Sequence, residues 1–144
     1  MKNLEDRLAI HDLFVRYATA LDDGEVETVV ACFTADAALE SPAIGRIRGE
    51  GAIRAFAERF AAWRAAGTQF RHLITNLPAD IDAGGERARA TAYLLVLISK
   101  DNAHRTLPPG RYECELAKQQ DGVWRFTRRV VFHDHDYTLD GIGR

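Results

Sequence analysis

Apolar residues recur at three- and four-residue intervals near the start of the chain: Ile10, Leu13, Phe14, Tyr17, Ala18 and Leu21. That spacing gathers them on one face of a helix. Asn3 suits its N-cap and Gly24 its exit. A short second helix is expected over residues 25–33, with Val26, Val29 and Val30 turned to the core. "TADAALES" reads as a strand, and "GRIRG", beyond Pro42, as its short partner. A third helix is expected from about residue 50 to 65, carrying Ile53, Phe56, Ala57 and Phe60. After Gly67 the period shortens. "QFRHLITNLPADID", "RARATAYLLVLIS", "GRYECELAKQ" and "VWRFTRRVVFHD" are strand-like. Between them, "DAGGE" and "QQDGV" offer the Gly and Asp that hairpin turns need.

Helices first and an antiparallel meander afterwards predict an α+β domain whose helices cover one sheet face. "YLLVLI" and the last strand are apolar on both parities. Strands of that kind are covered on both faces. The face away from the helices is therefore expected to meet another copy of the chain.

Composition narrows the class without naming a function. The chain has 144 residues and shows no repeat or linker, so one domain spanning 1–144 is expected. A hydrophobic share of 47% with 28% charged residues is that of a soluble globular protein. A formal net charge of −2 leaves no basic footprint for nucleic acid. No apolar run approaches the roughly 20 residues that span a bilayer, and "MKNLEDRLAI" lacks the core of a signal peptide. The expectation is a cytoplasmic protein with no membrane partner. Cys32 and Cys114 are far apart and outside any CxxC pattern, so neither a zinc site nor a disulfide is indicated.

Four polar positions carry candidate chemistry. In "FRHLITNL", His72 shares a strand face with Phe70, Ile74 and Asn76, which places an imidazole on an apolar wall if the helices cover that face. Imidazole is the side chain best suited to moving protons near neutral pH. In "WRFTRRVVF", Arg129 alternates with Thr127 and Val131, and Arg128 with Phe126 and Val130; one arginine must point to each face. Arg128 is read as the surface one. An inward Arg129 needs an anion, either a carboxylate or charge developing on a substrate. Asp22 and Asp23 end the first helix, where a carboxylate faces the negative end of the macrodipole. Either could orient an imidazole, and periodicity does not choose between them. "FHDHDY" puts His133 and His135 on one strand face, but a catalytic zinc wants a third ligand, so this stretch is read as a solvated end. His11 and His104 are read as exposed. No P-loop, GxGxxG or GxSxG motif is present.

The succession "IHDLFVRYATALDDGEVETVVACFTADA", "GEGAIRAFAERF", "RHLITN" and "DGVWRFTRRVV" resembles the SnoaL-like branch of the NTF2-like superfamily over nearly the whole chain. The resemblance implies a cone: a curved antiparallel sheet wrapped around three N-terminal helices, with an internal pocket. In motif the chain is most similar to the group of bile acid 7α-dehydratase, hexachlorocyclohexane dehydrochlorinase and scytalone dehydratase. Matched ungapped through "ALDDG", that group's aspartate falls on Asp22 rather than Asp23. Its histidine falls on His72 and its arginine on Arg129. The dehydratase's tyrosine falls on Tyr17, where the dehydrochlorinase has lysine.

The resemblance implies a cofactor-independent elimination with His72 as base, Asp22 orienting it, and Arg129 and Tyr17 stabilising developing charge. No metal or organic cofactor is implied. The expected pocket is lined by Phe14, Leu21, Phe33, Phe56, Phe60, Trp63 and Leu95, which suits a hydrophobic, polycyclic or carbonyl-bearing small molecule. A homo-oligomer is implied, trimer favoured over dimer. The alternatives are a ketosteroid-isomerase-like or polyketide-cyclase-like enzyme, and a non-catalytic binding domain similar to the small subunit of a ring-hydroxylating dioxygenase. A metal enzyme using His133 and His135 is a third.

Overall fold

The computed structural model describes residues 3–137. Its first helix, α1 (Leu4–Asp23), buries the expected stripe of Ile10, Leu13, Phe14, Tyr17, Ala18 and Leu21. Asn3 does not cap it through its side chain; it takes a left-handed conformation at φ 65°. Gly24 ends the helix at φ 75°, and a Cβ there would also press on the Ala61 backbone at 3.2 Å. Helix α2 (Val26–Ala31) is shorter than expected, because Phe33 already opens strand β1 (Phe33–Ser41). Strand β2 (Gly45–Arg48) returns beside it, and α3 (Glu50–Ala65) follows as expected. Among the described residues no helix is long and apolar enough to cross a membrane.

The remaining strands are β3 (Gln69–Thr75), β4 (Ala79–Ile81), β5 (Arg87–Lys100), β6 (Ala103–Thr106), β7 (Gly110–Lys118) and β8 (Trp124–His133). The stretch expected as one strand over 69–82 is broken at Asn76, which turns left-handed at φ 53°, and at Pro78, which has no N–H to donate. The sheet runs β2-β1-β8-β7-β5-β3, with β4 and β6 also on β5. It is antiparallel except where β1 lies parallel to β8, a pairing the meander did not anticipate.

Strand β8 contains a β-bulge. Arg128 pairs with Glu115 while Phe126 pairs with Leu116, which leaves Thr127 as the extra residue. Phe126 and Arg129, three positions apart, are both fully buried, whereas Arg128 is exposed and bonds Glu40 at 2.9 Å. On β5 the alternation is strict. Leu94, Val96 and Ile98 are buried toward the helices; Tyr93, 59% exposed, is on the outer face with Leu73 of β3.

A half-buried carboxylate ties α1 to the β7–β8 hairpin. Asp6 accepts bonds from Trp124 Nε1 at 2.8 Å and Lys118 Nζ at 2.9 Å. These two donors, Trp124 first, hold the Asp6 carboxyl below the usual carboxylate range. The folded state therefore favours the ionised form, and the stabilisation is complete above about pH 5 and fades as pH falls through the depressed value. Asp6→Asn is expected to lower stability by about 1–2 kcal/mol at neutral pH. In denaturant melts, the gap from the wild type should close toward the acid limb.

Candidate active site

Position 72 lies on the inward parity of β3, between Phe70 and Ile74. Position 22 lies in the last turn of α1, which crosses the inner face of β3. Fifty residues apart in sequence, the two side chains meet. Asp22 Oδ1 lies 2.5 Å from His72 Nδ1, and Asp22 Oδ2 accepts the His72 backbone N–H at 2.8 Å. The His72 side chain is 7% exposed and that of Asp22 9%, so the pair works in a dry setting. A carboxylate only accepts, so Nδ1 is the protonated nitrogen, and in the neutral ring Nε2 has the lone pair. Two N–H donors also answer the unfavourable dipole at the helix end. Asp23, next along the chain, is exposed.

The imidazole lines a cavity between the helices and the inner face of the sheet. Leu21, Phe56, Phe60, Leu94, Val96 and Val131 supply apolar walls, and Tyr17, Tyr112, His133 and Tyr137 supply polar tips. Of the residues expected to line it, Leu21, Phe56 and Phe60 do so, and the candidate catalytic residues Tyr17 and His72 stand among them. Leu95 does not: it points to the opposite face of β5, beside Tyr93 and Leu73. A strand apolar on both parities gives no sign of which set faces in. Phe14, Phe33 and Trp63 stand behind the wall. Phe14 and Phe33 pack on Phe126 at 5.1 and 5.4 Å, and Trp63 packs on Phe60 and Phe70.

Arg129 is inward, as expected, but enclosed. Its guanidinium carbon lies 3.7 Å from the Tyr112 ring centroid and 4.0 Å from that of Tyr17, with Phe126 and Phe14 beyond. Cys114 Sγ is 3.7 Å from Nη1, while Nε and Nη2 have no hydrogen-bond partner. The charge is therefore held by aromatic faces rather than by a carboxylate. Burial raises the Tyr17 and Tyr112 hydroxyls above the ordinary phenol value, and the Arg129 charge opposes that rise. Both phenols thus stay protonated and offer O–H groups at the cavity wall.

Sequence reasoning missed Tyr112, Tyr137 and His133. "GRYECELAKQ" did show Tyr112 on the parity of Cys114 and Leu116, which was the available signal. His133 is the last residue of β8; Asp134, His135 and Asp136 lie past the strand and are exposed. His133 and His135 consequently do not share a strand face, and among the described residues no cluster of three or more metal-binding side chains occurs.

Comparison with known proteins gives a consistent picture. Residues 2–130 match the family model of the SnoaL-like domain. A protein of unknown function from Mycobacterium tuberculosis superposes with a TM-score of 0.81 at 30% identity, covering 94% of this chain and 75% of that one. A suggested aromatic ring hydroxylase from Novosphingobium aromaticivorans has a TM-score of 0.79 at 29% identity over 98% of both chains. An NTF2-like protein with a cystatin-like fold, also from Novosphingobium aromaticivorans, has a TM-score of 0.79 at 23% identity over 96% and 84% of the two chains, which speaks for the fold alone. No curated protein matches the chain significantly.

Proposed function

The chain belongs to the SnoaL-like family of the NTF2-like superfamily, and on that footing we propose a cofactor-independent lyase that removes water from an apolar, carbonyl-bearing ring compound. The observation that carries this reading is the 2.5 Å contact between Asp22 and His72 at the edge of an apolar cavity. A base needs a free lone pair, a partner for the charge it acquires and little competing water. His72 Nε2 has all three.

His72 Nε2 takes a proton from the carbon next to the substrate carbonyl, and Asp22 offsets the resulting imidazolium charge. The Tyr17 hydroxyl donates a hydrogen bond to the carbonyl oxygen as it becomes an enolate. Because burial keeps Tyr17 protonated, it acts as a donor rather than as a source of protons. Arg129 works through the tyrosines. Its charge polarises both phenols from behind, so it is a positioning residue. The enolate then re-forms the carbonyl and expels a hydroxyl from the next carbon. Product mass tests the assignment: a lyase gives a product lighter by one water, and an isomerase or cyclase acting on the same proton conserves mass.

One observation favours a second reading. The likeness to a suggested ring hydroxylase over 98% of both chains keeps a dioxygenase-associated binding domain in view. In that case Asp22 and His72 would be dispensable and a large partner chain would co-purify.

Arg129→Met separates stability from chemistry. A buried charge without a carboxylate contributes little net stability, and an apolar side chain of similar volume replaces it well. The melting temperature is expected to hold or rise while turnover falls at least about tenfold, because Tyr17 and Tyr112 lose the charge that polarises them. Self-association is part of the same reading, trimer before dimer, and the exposed Leu73 and Tyr93 support it. Light scattering on the eluting protein measures it directly, and a monomer would overturn it.

A further inference from the structure

The cavity contains a second imidazole. His133 lines it together with His72, Tyr112 and Tyr137. His133 Nδ1 lies 2.8 Å from the Pro108 carbonyl oxygen. A carbonyl only accepts, so Nδ1 carries a proton whether the ring is neutral or charged. Nε2 is therefore the nitrogen that gives or takes a proton, and the ring need not turn over between the two states. The Tyr137 ring packs edge-on at 4.4 Å.

The fold makes room for this ring. Gly110 of β7 pairs with His133, and a Cβ at Gly110 would stand 2.1 Å from the Phe132 carbonyl oxygen and 3.1 Å from His133 Nδ1. A side chain there would push the imidazole off Pro108. The cross-strand row runs His133, Gly110, Leu94, Ile74, and His72 lies two residues before Ile74. The two imidazoles thus rise from one inner sheet face, three strand spacings or about 14 Å apart across the strands and two residues or about 7 Å apart along them. They bracket whatever occupies the cavity.

We propose that His133 is a second catalytic residue, the acid that delivers a proton to the departing hydroxyl while His72 acts as base; the proposal rests on the lyase reading. The step balances. His72 Nε2 receives the proton from carbon, and the C–H electron pair passes through the enolate into the new carbon–carbon double bond. The carbon–oxygen bond breaks with its pair, and the Nε2 proton of the His133 imidazolium joins the oxygen to give water. His72 ends charged and His133 neutral. Exchange of one proton with solvent at each ring restores the starting state without oxidant or reductant.

The test uses two probes: the aldol adduct of acetone and benzaldehyde, a β-hydroxy ketone whose dehydration product absorbs in the ultraviolet, and its O-acetyl ester. Acetate leaves without a proton; hydroxide does not. The variant is His133→Gln, whose amide still donates to Pro108. It is expected to lose about 10²-fold in kcat on the hydroxy ketone, and at least tenfold less on the ester. Equal losses on both probes, or none on either, would overturn the acid role of His133. The lyase reading fails separately, if His72→Ala retains full turnover of the ester. Independently of turnover, nitrogen NMR of the free protein should show His133 protonated at both ring nitrogens at the pH of turnover, with Nδ1 held on Pro108. A ring protonated at one nitrogen alone would overturn the proposal even if neither probe reacts.

Discussion

His72→Ala is expected to lower kcat by about 10²–10⁴-fold, the span a positioned general base supplies, with the fold intact. The loss should be this large because, among the described residues, His72 is the cavity-lining imidazole held by a carboxylate. The fold should survive because β3 pairs with β5 through backbone bonds that alanine keeps. The neighbouring wall is also dense, with Phe60 and Phe70 in contact at 4.9 Å between ring centroids. Turnover of a confirmed substrate and a thermal melt measure the two effects. Partial rescue by added imidazole would show that a base, and not merely a wall, had been removed. Full turnover in the variant would remove the lyase reading altogether.

The second large effect is a contrast between neighbours. Asp22→Asn is expected to cost on the order of 10³–10⁴-fold, because an asparagine cannot do what both carboxylate oxygens do here. Oδ1 faces the ring N–H and Oδ2 the backbone N–H of His72. An amide offers one acceptor, so its NH₂ group confronts one of the two donors. If the NH₂ meets the ring, the imidazole exchanges tautomers and its cavity-side nitrogen becomes protonated, which blocks the base. The same mismatch should cost about 1–3 kcal/mol of stability. Asp23→Asn, one position on, is expected to change neither property beyond about 0.5 kcal/mol, since Asp23 is exposed. Equal losses in the two variants would mean that the wrong acid had been matched.

Much of this fold could be read from local pattern. The stripe on α1 and the extent of α3 followed from periodicity, because long amphipathic helices repeat their signal over several turns. Strand β6 (Ala103–Thr106) was missed: it is four exposed residues, with no apolar alternation to find. The parallel pairing of β1 with β8 was missed as well, since local sequence contains nothing of a contact some ninety residues distant. In the site, periodicity placed His72 on the inner face but could not bring Asp22 to it; only the family resemblance chose between the two acids. Leu95 was assigned to the wrong face, because its strand is apolar on both parities. His133 was hidden by its company in "FHDHDY". What separates it from the solvated residues after it is the point where β8 stops.

Thr127 offers a way to ask what the curvature of the sheet is for. As the extra residue of the β8 bulge, it bends the strand and steepens its twist, and its hydroxyl is bonded to the Glu115 carbonyl at 3.1 Å. If Thr127 were deleted, ordinary alternation from Phe126 would still turn Arg128 outward and bring Arg129, Val131 and His133 inward. Every chemical group would remain and only the bend would be lost. Most changes to an enzyme cavity alter its lining and its shape together. Here a deletion of one residue would flatten the cavity while leaving the residues of its inner face in place, so the shape of the cavity could be varied separately from its lining.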